Sequence, residues 1–168
     1  MTYQQALAFV EETKKYGSIL GLDSIRALMK ELGDVQEDLS IIHIAGTNGK
    51  GSVGAMLQAV LEEAGLKVGR YSSPAVFDPM EVWRINLQSM SHEEYADIME
   101  QVKCACDRMV EKGMEHPTIF EVETAMAFLY FYQKKCDYVL LEVGMGGRTD
   151  ATLSLIHISE PTRRVVIS

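Results

Sequence analysis

The passage Ile41-Ile42-His43-Ile44-Ala45-Gly46-Thr47-Asn48-Gly49-Lys50-Gly51-Ser52 constrains this chain more than any other. An Ile-rich apolar run, Leu39 to Ala45, ends in a glycine-bearing cluster. Beyond it Val53, Met56, Leu57, Val60 and Leu61 recur at helical spacing up to a stop at Gly65. A buried strand therefore turns sharply into a helix expected over about residues 52–64. Glycines in such a turn let backbone N–H groups converge on an anion. The helix N-terminus adds positive potential, and Lys50 supplies a point charge for the outer phosphates. Gly46, Thr47, Asn48, Gly49, Lys50, Gly51 and Ser52 are thus a candidate cradle for a nucleoside triphosphate, ATP being the natural ligand. The general phosphate-loop spacing is incomplete: Ile44 stands where a glycine is wanted, and Gly51 where a hydroxyl is wanted, Ser52 arriving one place late. From spacing alone, a glycine turn that merely caps an ordinary helix is the competing account.

The rest of the chain supplies the frame. Ala6, Leu7, Phe9 and Val10 mark an amphipathic helix over residues 3–15. Ile25, Leu28, Met29 and Leu32 mark another over 23–32, with Asp23 or Ser24 as its N-cap and Gly33 as its stop. Lys67 to Ser72 reads as a short strand, and Ser72-Ser73-Pro74 opens a stretch expected to be irregular as far as about Ser89. Ser91-His92-Glu93-Glu94 has the form of a capping box for a helix ending near Gly113, and Pro117 precedes a helix from about Ile119 to Lys134. Asp137 to Val143 is a third buried strand, running into Gly144-Met145-Gly146-Gly147. Strands alternating with helices predict an α/β fold with a parallel sheet, whose ligands sit at the C-terminal strand ends. Glu142 lies at such an end inside an apolar run, where a buried carboxylate is costly without compensation. A magnesium ion near the phosphates is one rationale; a strand-end cap or salt bridge is the other. His43 reads as a satisfied interior or strand-end histidine.

Composition narrows the partners. At 168 residues, 47% apolar and 24% charged, the chain is long enough for one ordinary core and is not disordered throughout. A formal charge of −8 argues against a nucleic-acid surface. No run approaches a membrane span and the first residues lack the plan of a signal peptide, so a cytoplasmic protein without membrane partners is expected, and a monomer. Cys104, Cys106 and Cys136 form no disulfide framework or zinc quartet and are read as reduced thiols.

Taken together, HIAGTNGKGS (43–52), YSSP (71–74), FEVETAMAFLYF (120–131) and LLEVGMGGRTDAT (141–152) resemble the N-terminal part of the folylpolyglutamate synthase/dihydrofolate synthase family, a branch of the ATP-dependent Mur ligase superfamily. The resemblance runs from LGLDSIRALMKELG (20–33) to Thr152, and the TNGKGS form with its delayed hydroxyl is that family's own phosphate loop. It implies a truncated, parallel-sheet P-loop nucleotide-binding domain of the Mur ligase central type. It also implies Gly46 through Ser52 on the ATP phosphates with Lys50 as the catalytic cation, and Ser73 and Glu142 on Mg²⁺. Leu20, Gly21, Leu22, Phe120, Glu121, Thr149, Asp150 and Ala151 would lie along the pterin-bearing substrate.

The implied chemistry is amide ligation. A carboxylate of the folate or dihydropteroate attacks the γ-phosphorus of ATP, and the amine of L-glutamate then displaces phosphate from the acyl phosphate. Ala75 stands where many members carry a His, and PMEVWRIN keeps only Glu81 of an Asn-Glu-Arg group. Trp83 and Phe77 are packing anchors or a stacking surface for the pterin ring. Residues 1–152 are expected to be the ATP-binding portion, and LSLIHISEPTRRVVIS (153–168) a non-native read-through tail. The glutamate-side domain is expected to be absent, so that the 168-residue chain turns over no folate. The rival functions are a cell-wall ligase of the same superfamily, a small-molecule kinase, and a non-catalytic nucleotide-binding module. Gly51-Ser52 argues against the first, and residues 65–90 lack the acidic acceptor cluster and lid arginines of the second.

Overall fold

A computed structural model describes residues 1–17, 23–44, 48–73, 75 and 77–142 and the backbone of 165–167. Its helices are α1 (Tyr3–Thr13, continued by a 3-10 turn over Lys14–Tyr16), α2 (Asp23–Glu31), α3 (Lys50–Glu63), α4 (His92–Glu111) and α5 (Ile119–Gln133). Its strands are β1 (Ile41–Ile44), β2 (Val68–Tyr71), β3 (Trp83–Ile85), β4 (Gln88–Ser89), β5 (Tyr138–Glu142) and β6 (Val165–Ile167).

Local chemistry sets most of these limits. Thr2, Ser91 and Thr118 each cap a helix, reciprocated by Gln5, Glu94 and Glu121 three residues on, so each pair satisfies donors that the helix leaves orphaned. The Ser91 box is the one read from sequence; the Thr118–Glu121 box behind Pro117 was not. In α5 the apolar residues run all round, and from Val122 to Phe131 every residue but Glu123 is buried, which makes it a central helix of the core.

The sheet runs in the order β4-β3-β2-β5-β1-β6. β2, β5 and β1 are parallel, as the βαβ reading requires, and β6, in the segment expected to be a non-native tail, also pairs in parallel, while β3 and β4 form an antiparallel extension. This corrects the expectation of an irregular stretch from Ser72 to Ser89. After a 3-10 turn over Pro79–Val82 the chain returns along β2 and folds back as a hairpin. Asn86 makes the turn at φ 52° and grips Val68 twice, its side-chain oxygen accepting from the Val68 N–H at 2.9 Å and its own N–H donating to the Val68 carbonyl at 2.8 Å. Asn tolerates that left-handed backbone better than most residues.

Side chains alternate across the sheet and divide it into two unequal faces. Ile41, Tyr71, Trp83, Val139 and Leu141 point into the large core with α1, α2, α4 and α5. Ile44, Val68 and Leu140 point the other way, into a small cluster beneath Leu57 and Leu61 of α3 and Leu66 beyond it. Contact on the large face is close: a methyl added at Gly69 of β2 would fall 2.6 Å from Cδ1 of Phe131, so α5 rests where β2 has no side chain. Residues 165–167 pair in parallel with Ile42, His43 and Ile44.

Candidate functional site

The phosphate-loop reading requires a strand end, a turn and a helix start in one place. β1 ends at Ile44 and α3 starts at Lys50, with Gly49 as the residue before the helix at φ 79°. A side chain rarely accepts that left-handed conformation, so glycine is required there. The Gly49 carbonyl accepts from the Val53 N–H at 2.9 Å, and no side chain caps the helix start. The first-turn amides that an α-helix leaves without an internal partner therefore face outward, with the helix dipole behind them. Asn48, Gly49, Gly51 and Ser52 are exposed and Lys50 half-buried. Gly46 and Thr47 lie outside the described residues.

Strand register places the acidic partner. Glu142 is the register partner of Ile44 across the β1–β5 ladder, so its carboxylate belongs to the strand end beside the one that feeds the loop. It is half-buried and, by alternation with Leu140, lies on the α3 face. Ser73 follows β2 at the same edge, two residues past the Tyr71–Leu141 pair. Among the described residues no group of three His, Cys, Asp or Glu side chains could hold a metal ion. A hydroxyl, one carboxylate and phosphate oxygens are nonetheless a suitable donor set for Mg²⁺, which keeps waters and shares phosphate oxygens in preference to all-protein cages.

One neighbour of the loop was missed in the sequence. Arg70 of β2 lies within the Lys67–Ser72 run and belongs to no motif there. In the fold its Nη2 donates to the Gly51 carbonyl at 3.0 Å, in the first turn of α3. Burial lowers its pKa from the ordinary arginine value, opposed by the negative charge of Glu142 and reinforced by Arg84. Arg84, its cross-strand partner, donates to Glu81 at 2.7 Å.

The substrate positions carried over by resemblance divide. Leu20, Gly21 and Leu22, and Thr149, Asp150 and Ala151, lie outside the described residues. Phe120 and Glu121 open α5, which precedes β5 and runs back across the sheet, so its N-terminus faces the C-terminal strand edge from the side opposite α3. Phe120 is half-buried and packs on the large core. Glu121 is 3% exposed. Its Oε2 accepts from the Thr118 N–H at 2.7 Å, the Thr118 hydroxyl at 3.0 Å and the Ser24 hydroxyl at 3.2 Å. The carboxylate thus ties the start of α5 to the start of α2, directly after the Leu20–Leu22 segment. Ser24, weighed in the sequence as a cap, serves here as a cross-helix donor.

Of the aromatic candidates, Trp83 is buried, with its indole N–H donating to the Glu123 carbonyl, while Phe77 is 93% exposed. His43 is buried, as expected. Burial pushes the Cys106 thiol up to about 12 and the Cys136 thiol up to about 11, which removes both as nucleophiles near neutral pH. Among the described residues no helix is long and apolar enough to cross a membrane.

This arrangement has counterparts in known proteins. The chain is 36% identical over 167 residues to the dihydrofolate synthase/folylpolyglutamate synthase of Bacillus subtilis (strain 168), covering 99% of this chain and 38% of that protein. The chain belongs to the folylpolyglutamate synthase/dihydrofolate synthase family. Its fold matches the crystal structure of folylpolyglutamate synthase from Thermotoga maritima with a TM-score of 0.81 at 39% identity, over 89% of this chain and 35% of that one. A solved FPGS–AMPPCP–folate complex matches with a TM-score of 0.82 at 32% identity, over 90% of this chain and 37% of that one. No family model matches. The chain spans between a third and two-fifths of the length of these relatives. The parallel α/β expectation holds.

Proposed function

We propose that this chain carries the ATP-binding portion of a ligase that joins L-glutamate to folate or dihydropteroate through an acyl phosphate. The supporting observation is the juxtaposition at the sheet edge: left-handed Gly49 and Lys50 opening α3, with Glu142 in register beside the strand that feeds them. In this reading Gly46, Thr47, Asn48, Gly49, Gly51 and Ser52 present backbone and hydroxyl groups to the phosphates, and Lys50 offsets charge on the transferring phosphoryl group. The protein contributes positioning and electrostatics, and no nucleophilic side chain is needed. Ser73 and Glu142 would hold Mg²⁺, which when bound neutralises phosphate charge. The pterin-bearing substrate would approach the same edge past Leu20–Leu22, Phe120, Glu121 and Thr149–Ala151, so the two substrates would meet above the strand ends.

We assign residues 1–152 to the ATP-binding portion and 153–168 to a read-through segment, and place the protein in the cytoplasm as a monomer. The test is an equilibrium titration of the chain with a methylene-bridged ATP analogue and Mg²⁺. Lys50→Ala is expected to weaken binding by about tenfold or more, the loss typical of removing one charge-assisted phosphate contact. Circular dichroism should be unchanged. Equal affinity for both proteins would reduce the loop to a structural turn.

A further inference from the structure

The α3 face of the sheet carries a charge arrangement that a phosphate loop does not by itself require. Register and alternation put Arg70, Arg84 and Glu142 on that face, Arg70 and Glu142 near the C-terminal ends of the parallel strands β2 and β5, and Arg84 opposite Arg70 on the antiparallel β3. Arg84 is committed to Glu81, with which it forms an ion pair at 2.7 Å. Arg70 is not so committed. Its guanidinium lies under the start of α3, bonded to the Gly51 carbonyl, and a methyl placed at Gly54 would touch its Nε and Cζ at 3.4 Å. Glu142 is the acid whose field acts on it.

We propose that Arg70 is a positioning residue of the phosphate site: it ties the first turn of α3 to β2 and offsets the charge of Glu142, so that the loop accepts a polyphosphate before a divalent cation is in place. The inference rests on the phosphate-site reading above. Without Arg70, a half-buried carboxylate faces the incoming phosphates uncompensated, and like charges in a partly desolvated site repel strongly. With Mg²⁺ present, the cation takes over that compensation and Arg70 matters less. A guanidinium suits both tasks, since its planar fork donates to a carbonyl while the delocalised charge stays permanently on. Arg70 is not assigned contact with the nucleotide, and its effect passes through α3 and Glu142.

Four proteins are titrated with the methylene-bridged ATP analogue, with Mg²⁺ and again in EDTA: the unaltered chain, Arg70→Met, Arg70→Lys, and Arg70→Met combined with Glu142→Gln. Arg70→Met is expected to lose about tenfold in affinity in EDTA and no more than about threefold with Mg²⁺, in the range of coupling between contacting charges. The double variant recovers most of the EDTA loss, and Arg70→Lys falls between. A residue that merely packs the helix would give equal losses in both buffers and no recovery on removing the Glu142 charge. That outcome overturns the proposal, as does unchanged affinity in Arg70→Met. If Arg70→Met fails to fold, Arg70→Lys with and without Glu142→Gln completes the same cycle. If the unaltered chain and Lys50→Ala bind alike, the phosphate-site reading itself falls, a result separable from a failure of Arg70 alone.

Discussion

The two faces of the sheet do different work. On the α4–α5 face, Tyr71, Met99, Met126, Phe128, Phe131 and Leu141 are almost wholly excluded from water. On the α3 face the buried apolar set is Ile44, Val68 and Leu140, and α3 leaves Met56 70% and Val60 66% exposed. Arg70, Arg84 and Glu142 belong to this thinner side. Charges are tolerated there because desolvation is incomplete, whereas the same groups under α5 would need full pairing. Stability is concentrated on one face, which leaves the other free to carry chemistry.

Three substitutions probe that division, beginning with the largest effect. Phe131→Ala removes the ring that rests on Gly69 in the dense core and should destabilise the chain by about 3–5 kcal/mol, read as a shift in the urea midpoint. A loss under about 1 kcal/mol would mean that the α5 face is not where stability resides.

An intermediate effect is expected at the rim of the large core, where Glu31 of α2 accepts from Nε of Arg108 in α4 at 3.0 Å and pairs with Lys112, the C-cap of α4. The hydrogen bond from Lys112, then that from Arg108, holds the Glu31 carboxyl below the usual carboxylate range. A depressed folded-state pKa gives stability that is present above the unfolded value and lost as pH falls through the folded one. Glu31→Gln should therefore lower the thermal midpoint at pH 7, and the difference should vanish in acid. A difference independent of pH would remove the ionic account.

The smallest effect belongs to the other face. Met56→Ser should change stability by no more than about 0.5 kcal/mol, as for exposed positions generally. A loss approaching that of Phe131→Ala would show that α3 is covered in solution.

Much of the frame was legible because it is written in local chemistry. Ser91 and Glu94 at capping-box spacing, glycine stops at Gly33, Gly65 and Gly113, and the Ile-rich run into Gly49 each depend on neighbours in sequence. The β3–β4 hairpin was not legible. Its strands are three and two residues long, too short for alternation to register, and they depend on β2 for pairing. Within the candidate site, the loop and Glu142 were readable as a motif and a misplaced charge. Arg70 carried no signal, because VGRY could face either way until the register was set. Glu121 was readable only as a substrate residue carried over by resemblance; its Oε2 accepts twice from Thr118, closing the α5 cap, and once from Ser24 across to α2.

The sequence by itself determined where helices begin and stop, which runs are buried strands, and which turn can take left-handed backbone, since those follow from propensity, capping and steric limits within a few residues. The tertiary structure decided that Glu142 stands beside Ile44, that Arg70 lies beneath Gly51, and that Ser24 reaches Glu121. Those pairings join residues 98, 19 and 97 positions apart. Strand order and face are set by how the whole core packs, which no short window of residues encodes.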